Sequence, residues 1–476
     1  MTGVLEVLGN LAHQRVEAAR AVRPEAALLA RAAGQGPARD VLASLARGGR
    51  PALVAEFKRA SPSAGAIAPA ADPVETARTY ERAGAAMISV LTEPTRFHGS
   101  LDDLTRVRAA TSLPVLQKDF VVDPYQLLEA RAAGADAVLL IVALVGRDLA
   151  PLLGRAHELG LTALVEAHTA AELDQAIASG ARLIGVNNRD LATLAVDTRL
   201  AERLLGRVPT DRFALAESGL SSPAAVARAV RGGADGVLVG EYLMRSADPA
   251  AAAEALRGAG RRFVKVCGIT RREDAAAAVA AGADAVGFVF APSPRRVEAE
   301  AVRRLGDGLG AARYGVFVGA SLAAILDTVR RAALTGVQLH DGAPDAAAAA
   351  ALRDEGLDVL VAVDQASPGA AESLDAIARA GALPLLDART GARPDGRSGR
   401  LDLERAAVLK AGVRRLALAG GLGPESVGEA VARVDPYGVD VSGGVEASPG
   451  VKDAALVRAF VRAARAAGDR AAAAAR

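Results

Sequence analysis

The chain has 476 residues, 51% of them hydrophobic and 24% charged, with a formal net charge of +2. One hydrophobic core stops growing at roughly 250 to 300 residues, so two domains are expected. Arg residues scattered beside Asp and Glu, rather than gathered in a stripe with aromatics, exclude a nucleic-acid footprint and a disordered chain. A single cysteine excludes an internal disulfide, and five dispersed histidines offer no zinc-ligand spacing.

Residues 1–50 precede the first strand and are expected to form extra helices covering one end of the first domain. Their opening, Met1 to Arg15, lacks the basic and apolar regions of a secretory leader. No apolar run reaches the roughly 18 residues of a membrane span, so the expectation is a cytoplasmic protein without membrane contact.

Short β-branched apolar runs then alternate with stretches of helical period. Strands are expected at 53–58, 86–92, 115–120, 137–142, 162–167, 183–188, 213–218 and 236–240. After the junction Gly258-Ala259-Gly260-Arg261-Arg262 the pattern repeats at 264–267, 285–290, 314–318, 336–340, 359–363, 385–387, 415–419 and 439–442. Continuous apolar strands signal burial on both faces, as in a parallel sheet covered by helices. Eight per half, each followed by a helix, predict an α/β fold of two tandem (β/α)₈ barrels, over 1–258 and 259–476. Asp72-Pro73-Val74-Glu75, Asp123-Pro124-Tyr125-Gln126 and Thr270-Arg271-Arg272-Glu273 read as capping boxes. Ala133-Gly134-Ala135-Asp136-Ala137-Val138 recurs as Ala281-Gly282-Ala283-Asp284-Ala285-Val286, each where a helix ends on glycine and the next strand begins. The alanine tail 471–475 reads as a frayed helix end.

Chemistry in this fold sits at the C-terminal strand ends. In the first half these present Glu56, Lys58, Lys118, Glu166, Asn187, Arg189, Glu217 and Ser218. Six of the eight ionise, and each buried charge costs several kcal/mol unless paired, a poor arrangement for stability alone. Glu217-Ser218-Gly219 and Val239-Gly240-Glu241 would offer backbone N–H groups to a phosphate, and Ser61 a hydroxyl. The second half presents Cys267, Arg295, His340, Asp387, Gly420-Gly421 and Ser442-Gly443-Gly444. Cys267 and Asp387 end strands one and six of that barrel and should share its mouth, a base and an acid suited to moving a proton along a sugar. Taken singly, Glu166 also reads as a salt bridge closing the barrel, Cys267 as a small buried apolar residue, and the glycines as packing.

Ala55-Glu56-Phe57-Lys58-Arg59-Ala60-Ser61-Pro62-Ser63, Leu116-Gln117-Lys118-Asp119-Phe120, Leu164-Val165-Glu166, Gly185-Val186-Asn187-Asn188-Arg189 and Ala216-Glu217-Ser218-Gly219 closely resemble indole-3-glycerol phosphate synthase. The resemblance implies ring closure of carboxyphenylamino-deoxyribulose 5-phosphate with loss of CO₂ and water. It makes Lys118 the general acid and Glu166 the base in dehydration, with Lys58 on the substrate carboxylate and Glu56 and Glu217 holding the lysines and hydroxyls. Asn187 would orient the intermediate, Arg189 bind the anthranilate carboxylate, Phe97 and Phe120 sandwich its ring, and Ser61, Ser218, Gly219, Gly240 and Glu241 line the sugar-phosphate end. Ala64, where a lysine is frequent, and Glu241 depart from the family pattern.

Val264-Lys265-Val266-Cys267-Gly268-Ile269-Thr270, Val337-Gln338-Leu339-His340, Leu385-Leu386-Asp387, Ala419-Gly420-Gly421-Leu422 and Val439-Asp440-Val441-Ser442 resemble phosphoribosylanthranilate isomerase. The resemblance implies an Amadori rearrangement in which Asp387 protonates the ring oxygen and Cys267 removes the C2′ proton. Arg295 would engage the anthranilate carboxylate, His340 contact substrate, and the backbone of Gly421, Gly443 and Gly444 hold phosphate. Asp341, Gly443 and the Gly396-Arg397-Ser398-Gly399 loop depart from the family habit. No cofactor, metal, nucleic acid or obligatory oligomer is implied, only small phosphosugar–anthranilate substrates. The related barrels of histidine synthesis use an aspartate at the end of strand one, where this chain has Lys58 and Cys267. A non-catalytic scaffold would be expected to have lost its acid and base residues, and both sets are present.

Overall fold

The computed structural model describes residues 3–306, 308–340, 346–388 and 399–474; Asp341 and the 396–398 stretch singled out above lie outside the described residues. The chain divides into two compact units, Met1–Gly260 and Arg261–Arg476. Each holds a closed eight-stranded barrel whose parallel strands follow in sequence order, the first pairing with the last. The α/β class and the two tandem barrels are those expected.

The first barrel comprises β1 (Ala52–Phe57), β2 (Met87–Leu91), β3 (Val115–Lys118), β4 (Ala137–Ile141), β5 (Thr162–Ala167), β6 (Leu183–Asn187), β7 (Phe213–Glu217) and β8 (Gly236–Val239). The second comprises β9 (Phe263–Val266), β10 (Ala285–Val289), β11 (Ala312–Phe317), β12 (Gly336–Leu339), β13 (Asp358–Asp364), β14 (Leu383–Asp387), β15 (Ala417–Leu418) and β16 (Gly438–Val441). β15 is shorter than expected: Arg415 lies outside it, with its guanidinium 5.6 Å over the Tyr437 ring.

Strand periodicity sorts side chains into two cores. Val264 and Val266 of β9 pack with the surrounding helices, whereas Phe263 joins Tyr314, Leu360, Leu383 and Leu385 inside the barrel. Lys265 and Cys267 share the inward face of Phe263, one step and two steps nearer the mouth. In the first barrel Val54, Leu116, Leu164, Leu183, Leu215 and Leu238 fill the interior below the charged strand ends.

Asp72 and Asp123 cap their helices as expected, Asp123 with Gln126 as a reciprocal box. Thr270 does not. The helix Arg272–Ala280 begins one residue later, with Arg271 at its N-cap gripping Asp274 at 2.6 and 2.9 Å, and the Thr270 hydroxyl donates to the Gly450 carbonyl instead. The N-terminal segment forms α1 (Val4–Val22), α2 (Glu25–Ala33) and α3 (Val41–Arg47), and it serves both ends of the barrel rather than one. Val4 and Leu8 reach the C-terminal mouth, while the Ser44 hydroxyl donates at 2.7 Å to the Ala86 carbonyl, just before β2 at the opposite end.

Candidate functional site

The C-terminal mouth of the first barrel holds a cavity of about 520 Å³. Glu56, Lys58, Ser61, Phe97, Lys118, Phe120, Glu166, Asn187, Arg189, Glu217, Ser218, Gly219, Gly240 and Glu241 all line it, so the residues expected to converge do so. Lys118 Nζ donates to Glu166 Oε2 at 2.9 Å and lies 3.4 Å from Glu217 Oε2. Lys58 pairs with Glu56 at 2.9 Å, and Asn187 Nδ2 donates to Glu166 Oε1 at 3.1 Å. Asn187 and Glu217 are register partners on β6 and β7. Gly185, one inward step below Asn187, leaves room for Glu217, whose Oε1 would clash with any Cβ there.

The charges are tuned by burial first and by neighbours second. Burial opposes the Lys118 ammonium, but Glu166, Glu217 and Glu56 more than offset it and hold its pKa above the ordinary lysine value. Burial likewise opposes the Glu166 carboxylate, yet Lys118 and His168 keep it ionised well below the usual carboxylate range. Glu217 goes the other way: burial and the neighbouring Glu166 charge push its pKa up to about 8. At neutral pH the trio of Lys118, Glu166 and Glu217 therefore holds one ammonium, one carboxylate and one neutral carboxylic acid. That is an acid and a base already in their working forms.

Several supporting residues carried no expectation. His168, two residues past Glu166 and just beyond the end of β5, lies 3.3 Å from Glu166 and 3.4 Å from Glu172, and those partners raise its pKa against burial to about 10. Asp119, beside Lys118, is gripped by Arg15 of α1 at 2.6 and 3.1 Å and accepts from the Thr92 hydroxyl at 2.6 Å. Glu93, fully buried, accepts from the backbone N–H groups of Thr95, Arg96 and Phe97 at 2.9, 2.6 and 3.1 Å, which fixes the loop carrying Phe97. The period of two pointed to His168; nothing local pointed to Arg15.

Three residues expected at the anthranilate ring and its carboxylate also contact the protein itself. Phe97 and Phe120 pack directly on each other, centroids 6.1 Å apart and tilted by 40°. Arg189 donates to the Leu194 carbonyl at 3.1 Å, so its guanidinium braces its own loop. At the phosphate end Ser218 and Gly219 adopt φ of 61° and 69°, left-handed values that turn the strand end sharply. The Glu241 carboxylate accepts from Arg245 at 3.1 Å. The Ser61 hydroxyl accepts from the Ala64 N–H at 3.2 Å.

In the second barrel Cys267 follows β9 and Asp387 ends β14. His340 lies 3.4 Å from Asp387 Oδ2 and 3.4 Å from the Gln338 amide. Gly420 has φ of 90°, and a Cβ there would press on Asp387 Oδ1. Gly421 has φ of 66°, Gly443 opens the turn Gly443–Val445, and a Cβ on Gly444 would strike the Leu422 carbonyl. Arg295 is held bidentate by Glu446 at 2.7 and 2.8 Å, and Glu446 also pairs with Lys452 at 2.7 Å, so any anthranilate carboxylate shares Arg295 with a resident partner. One inward step below Cys267, the fully buried Lys265 donates to Gln338 at 2.8 Å and Asp440 at 2.9 Å. Glu446, Lys452, Lys265, Gln338 and Asp440 carried no expected role. Among the described residues no group of three His, Cys, Asp or Glu is placed to hold a metal ion, and no helix is long and apolar enough to cross a membrane.

Comparison with known proteins divides the chain at the same place. Residues 6–256 match the family model described as indole-3-glycerol phosphate synthase, and residues 264–463 the one described as N-(5′-phosphoribosyl)anthranilate isomerase. An indole-3-glycerol phosphate synthase of Mycobacterium avium is 53% identical over 232 residues, 48% of this chain and 85% of the relative. One of Leifsonia xyli is 55% identical over 240 residues, 50% of this chain and 92% of the relative. Among solved structures, phosphoribosylanthranilate isomerase of Thermotoga maritima is 38% identical, covering 43% of this chain and 99% of that one with a TM-score of 0.39.

Proposed function

Because the chain belongs to the indole-3-glycerol phosphate synthase family over residues 6–256 and to the N-(5′-phosphoribosyl)anthranilate isomerase family over residues 264–463, we propose how its two barrel mouths divide the chemistry. The chain is a bifunctional isomerase and carboxy-lyase of tryptophan biosynthesis. Its second barrel converts N-(5-phosphoribosyl)anthranilate to 1-(2-carboxyphenylamino)-1-deoxyribulose 5-phosphate. Its first barrel closes that product to indole-3-glycerol phosphate with loss of CO₂ and water.

In the second barrel Asp387 donates a proton to the furanose oxygen, the ring C–O bond breaks to give an iminium, and Cys267 removes the C2′ proton, leaving an enolamine that tautomerises to the ketone. His340 orients Asp387, Arg295 receives the anthranilate carboxylate, and Gly421, Gly443 and Gly444 offer backbone N–H groups to the phosphate. In the first barrel Lys118 protonates the ribulose carbonyl as the aromatic carbon attacks it. CO₂ leaves to restore the ring, the C–OH bond then breaks with a proton from Lys58 so that the hydroxyl leaves as water, and Glu166 removes a proton from the adjoining ring methylene to complete the indole double bond. Lys58 and Arg189 hold the carboxylate, Asn187 and Glu56 the hydroxyls and lysines, Phe97 and Phe120 part to admit the ring, and Ser61, Ser218, Gly219, Gly240 and Glu241 cradle the phosphate. The reading takes these phosphosugar–anthranilate molecules as partners and the cytoplasm as the setting, with no part for nucleic acid, a membrane or a second copy of the chain.

The observation that carries the synthase half is Lys118 Nζ set between Glu166 at 2.9 Å and Glu217 at 3.4 Å in a roomy cavity, an arrangement that costs stability and supplies both proton donor and acceptor. The test is to supply phosphoribosylanthranilate and follow both products. Wild type yields indole-3-glycerol phosphate, and Lys118→Ala accumulates the ribulose intermediate. A Lys118→Ala variant that still forms the indole at the wild-type rate removes Lys118 from the chemistry.

A further inference from the structure

The interior of the second barrel is layered. Phe263, Tyr314, Leu383 and Leu385 form an apolar floor. Cys267, His340 and Asp387 stand at the mouth. Between them lies a polar layer of Lys265, Gln338 and Asp440, each one inward step below a mouth position on its own strand. Lys265 has no exposed surface, Gln338 has 2% and Asp440 has 7%. Lys265 and Asp440 are register partners on β9 and β16. Gly287 on β10 completes the enclosure: a Cβ there would lie 2.7 Å from Cys267 Sγ and 3.0 Å from Lys265 Nζ. An ammonium and a carboxylate sealed in a barrel centre are more costly than the apolar pair that would fill the same space. Their position directly under a thiol gives them a use.

Charged groups face Cys267 from several elements. Lys265 comes from β9, Asp440 from β16, Lys452 from the hairpin strand Val451–Lys452, and Arg295 from the loop after β10. Glu446 pairs with both Arg295 and Lys452, and Asp440 pairs with Lys265. Lys265, Lys452 and Arg295 thus stand with Asp440 and Glu446, while His340 and Asp387 face the same mouth as a pair 3.4 Å apart, and Lys265 is the cation on the strand that runs into Cys267.

We propose that Lys265 is a positioning residue for the isomerase step: its ammonium, one inward step below Cys267 and walled with it by Gly287, supplies the charge that lets the buried thiol ionise, while Asp440 sets how much of that charge the sulfur feels. The inference rests on Cys267 being the base. In the step itself the S–H proton leaves to bulk water or to the Asp440 carboxylate through the Lys265 ammonium. The thiolate so formed then takes the C2′ proton of the iminium. Gln338, accepting from Lys265 on its third side, prevents the ammonium from turning away. Burial pushes the Cys267 thiol up, and Lys265 is the first group that opposes this.

The chain's single cysteine makes the test direct. In full-length protein carrying isotope-labelled cysteine, one Cβ resonance reports the ionisation of Cys267, and the isomerase rate is measured over the same pH range. Two variants have opposite expected signs. Lys265→Met removes the ammonium beneath the sulfur, and both the resonance and the low-pH limb of the rate move to higher pH by about one pH unit or more, an about tenfold loss of thiolate at neutral pH. Asp440→Asn leaves Lys265 unshared, and the resonance moves to lower pH. If Lys265→Met fails to fold, Asp440→Asn alone decides. A titration that moves in the same direction in both variants, or in neither, overturns the proposal, because mere loss of packing has no reason to reverse sign. A Cys267→Ala chain that retains isomerase activity overturns instead the reading of Cys267 as base, whatever the resonance does.

Discussion

Glu217→Gln isolates the most informative charge in the synthase site. In wild type Glu217 is neutral below about pH 8 and ionised above it. On ionising, it places a second negative charge 3.4 Å from the Lys118 ammonium. At an effective dielectric of about 20, a unit charge at 3.4 Å holds the ammonium proton by about 5 kcal/mol more. Lys118 must release that proton to the substrate carbonyl, and if about half of the added affinity persists in the transition state the step slows by roughly ten- to a hundredfold. The wild-type ring-closure rate should therefore fall as pH rises through about 8. A glutamine amide carries no such charge, so Glu217→Gln keeps its rate across that window while losing modestly at neutral pH, where the amide replaces a carboxylic acid of similar shape. The assay is single-turnover conversion of the ribulose intermediate, monitored from about pH 6 to about pH 10, a range that brackets the Glu217 titration. An alkaline limb of unchanged position and depth in Glu217→Gln refutes the assignment of that limb to Glu217 and with it the account of how the cluster is charged.

His168 makes a prediction about stability with a fixed sign. Its folded pKa of about 10 lies above the ordinary histidine value of 6.5, so its stabilisation is fully present below about pH 6.5 and is lost as pH rises through 10. His168→Gln should destabilise the first barrel's calorimetric transition by about 3 kcal/mol at about pH 6 and by far less above about pH 10; an equal loss at both contradicts the pairing with Glu166 and Glu172. Gly185→Ala should lower the synthase rate at least about a hundredfold with the isomerase rate unchanged, because its Cβ would displace Glu217; near-normal synthase activity shows that the strand tolerates the shift. Arg15→Ala leaves Asp119 with Thr92 but without its charged partner, and should reduce synthase kcat more than KM as the backbone beside Lys118 loosens. A pure KM effect points instead to a binding role for α1.

The fold was legible because barrel strands write themselves as short apolar runs at regular spacing, and the mouth residues because each closes such a run with a charge. The polar layer beneath the second mouth was written just as plainly. Lys265, Gln338 and Asp440 each stand two residues before a mouth position, in Val-Lys-Val-Cys, Val-Gln-Leu-His and Val-Asp-Val-Ser. They interrupt otherwise apolar inward faces, and a strict reading of the two-residue period would have found them. His168 follows the same rule above Glu166. What the sequence does not display is contact at long separation: Arg15 meets Asp119, and Arg295 meets Glu446, only because the closed barrels bring them together. Thr270 shows the opposite error, a capping pattern defeated by a better local partner, Arg271 with Asp274.

The claim that two separate sites carry two consecutive reactions is tested most directly by complementation. Cys267→Ala and Lys118→Ala chains are each supplied with phosphoribosylanthranilate, alone and then mixed in equal amounts. The account predicts that Cys267→Ala leaves the substrate untouched yet converts added ribulose intermediate at the wild-type rate, that Lys118→Ala stops at that intermediate, and that the mixture restores indole-3-glycerol phosphate. A Cys267→Ala chain that fails on the ribulose intermediate as well, or a mixture that produces no indole, contradicts it.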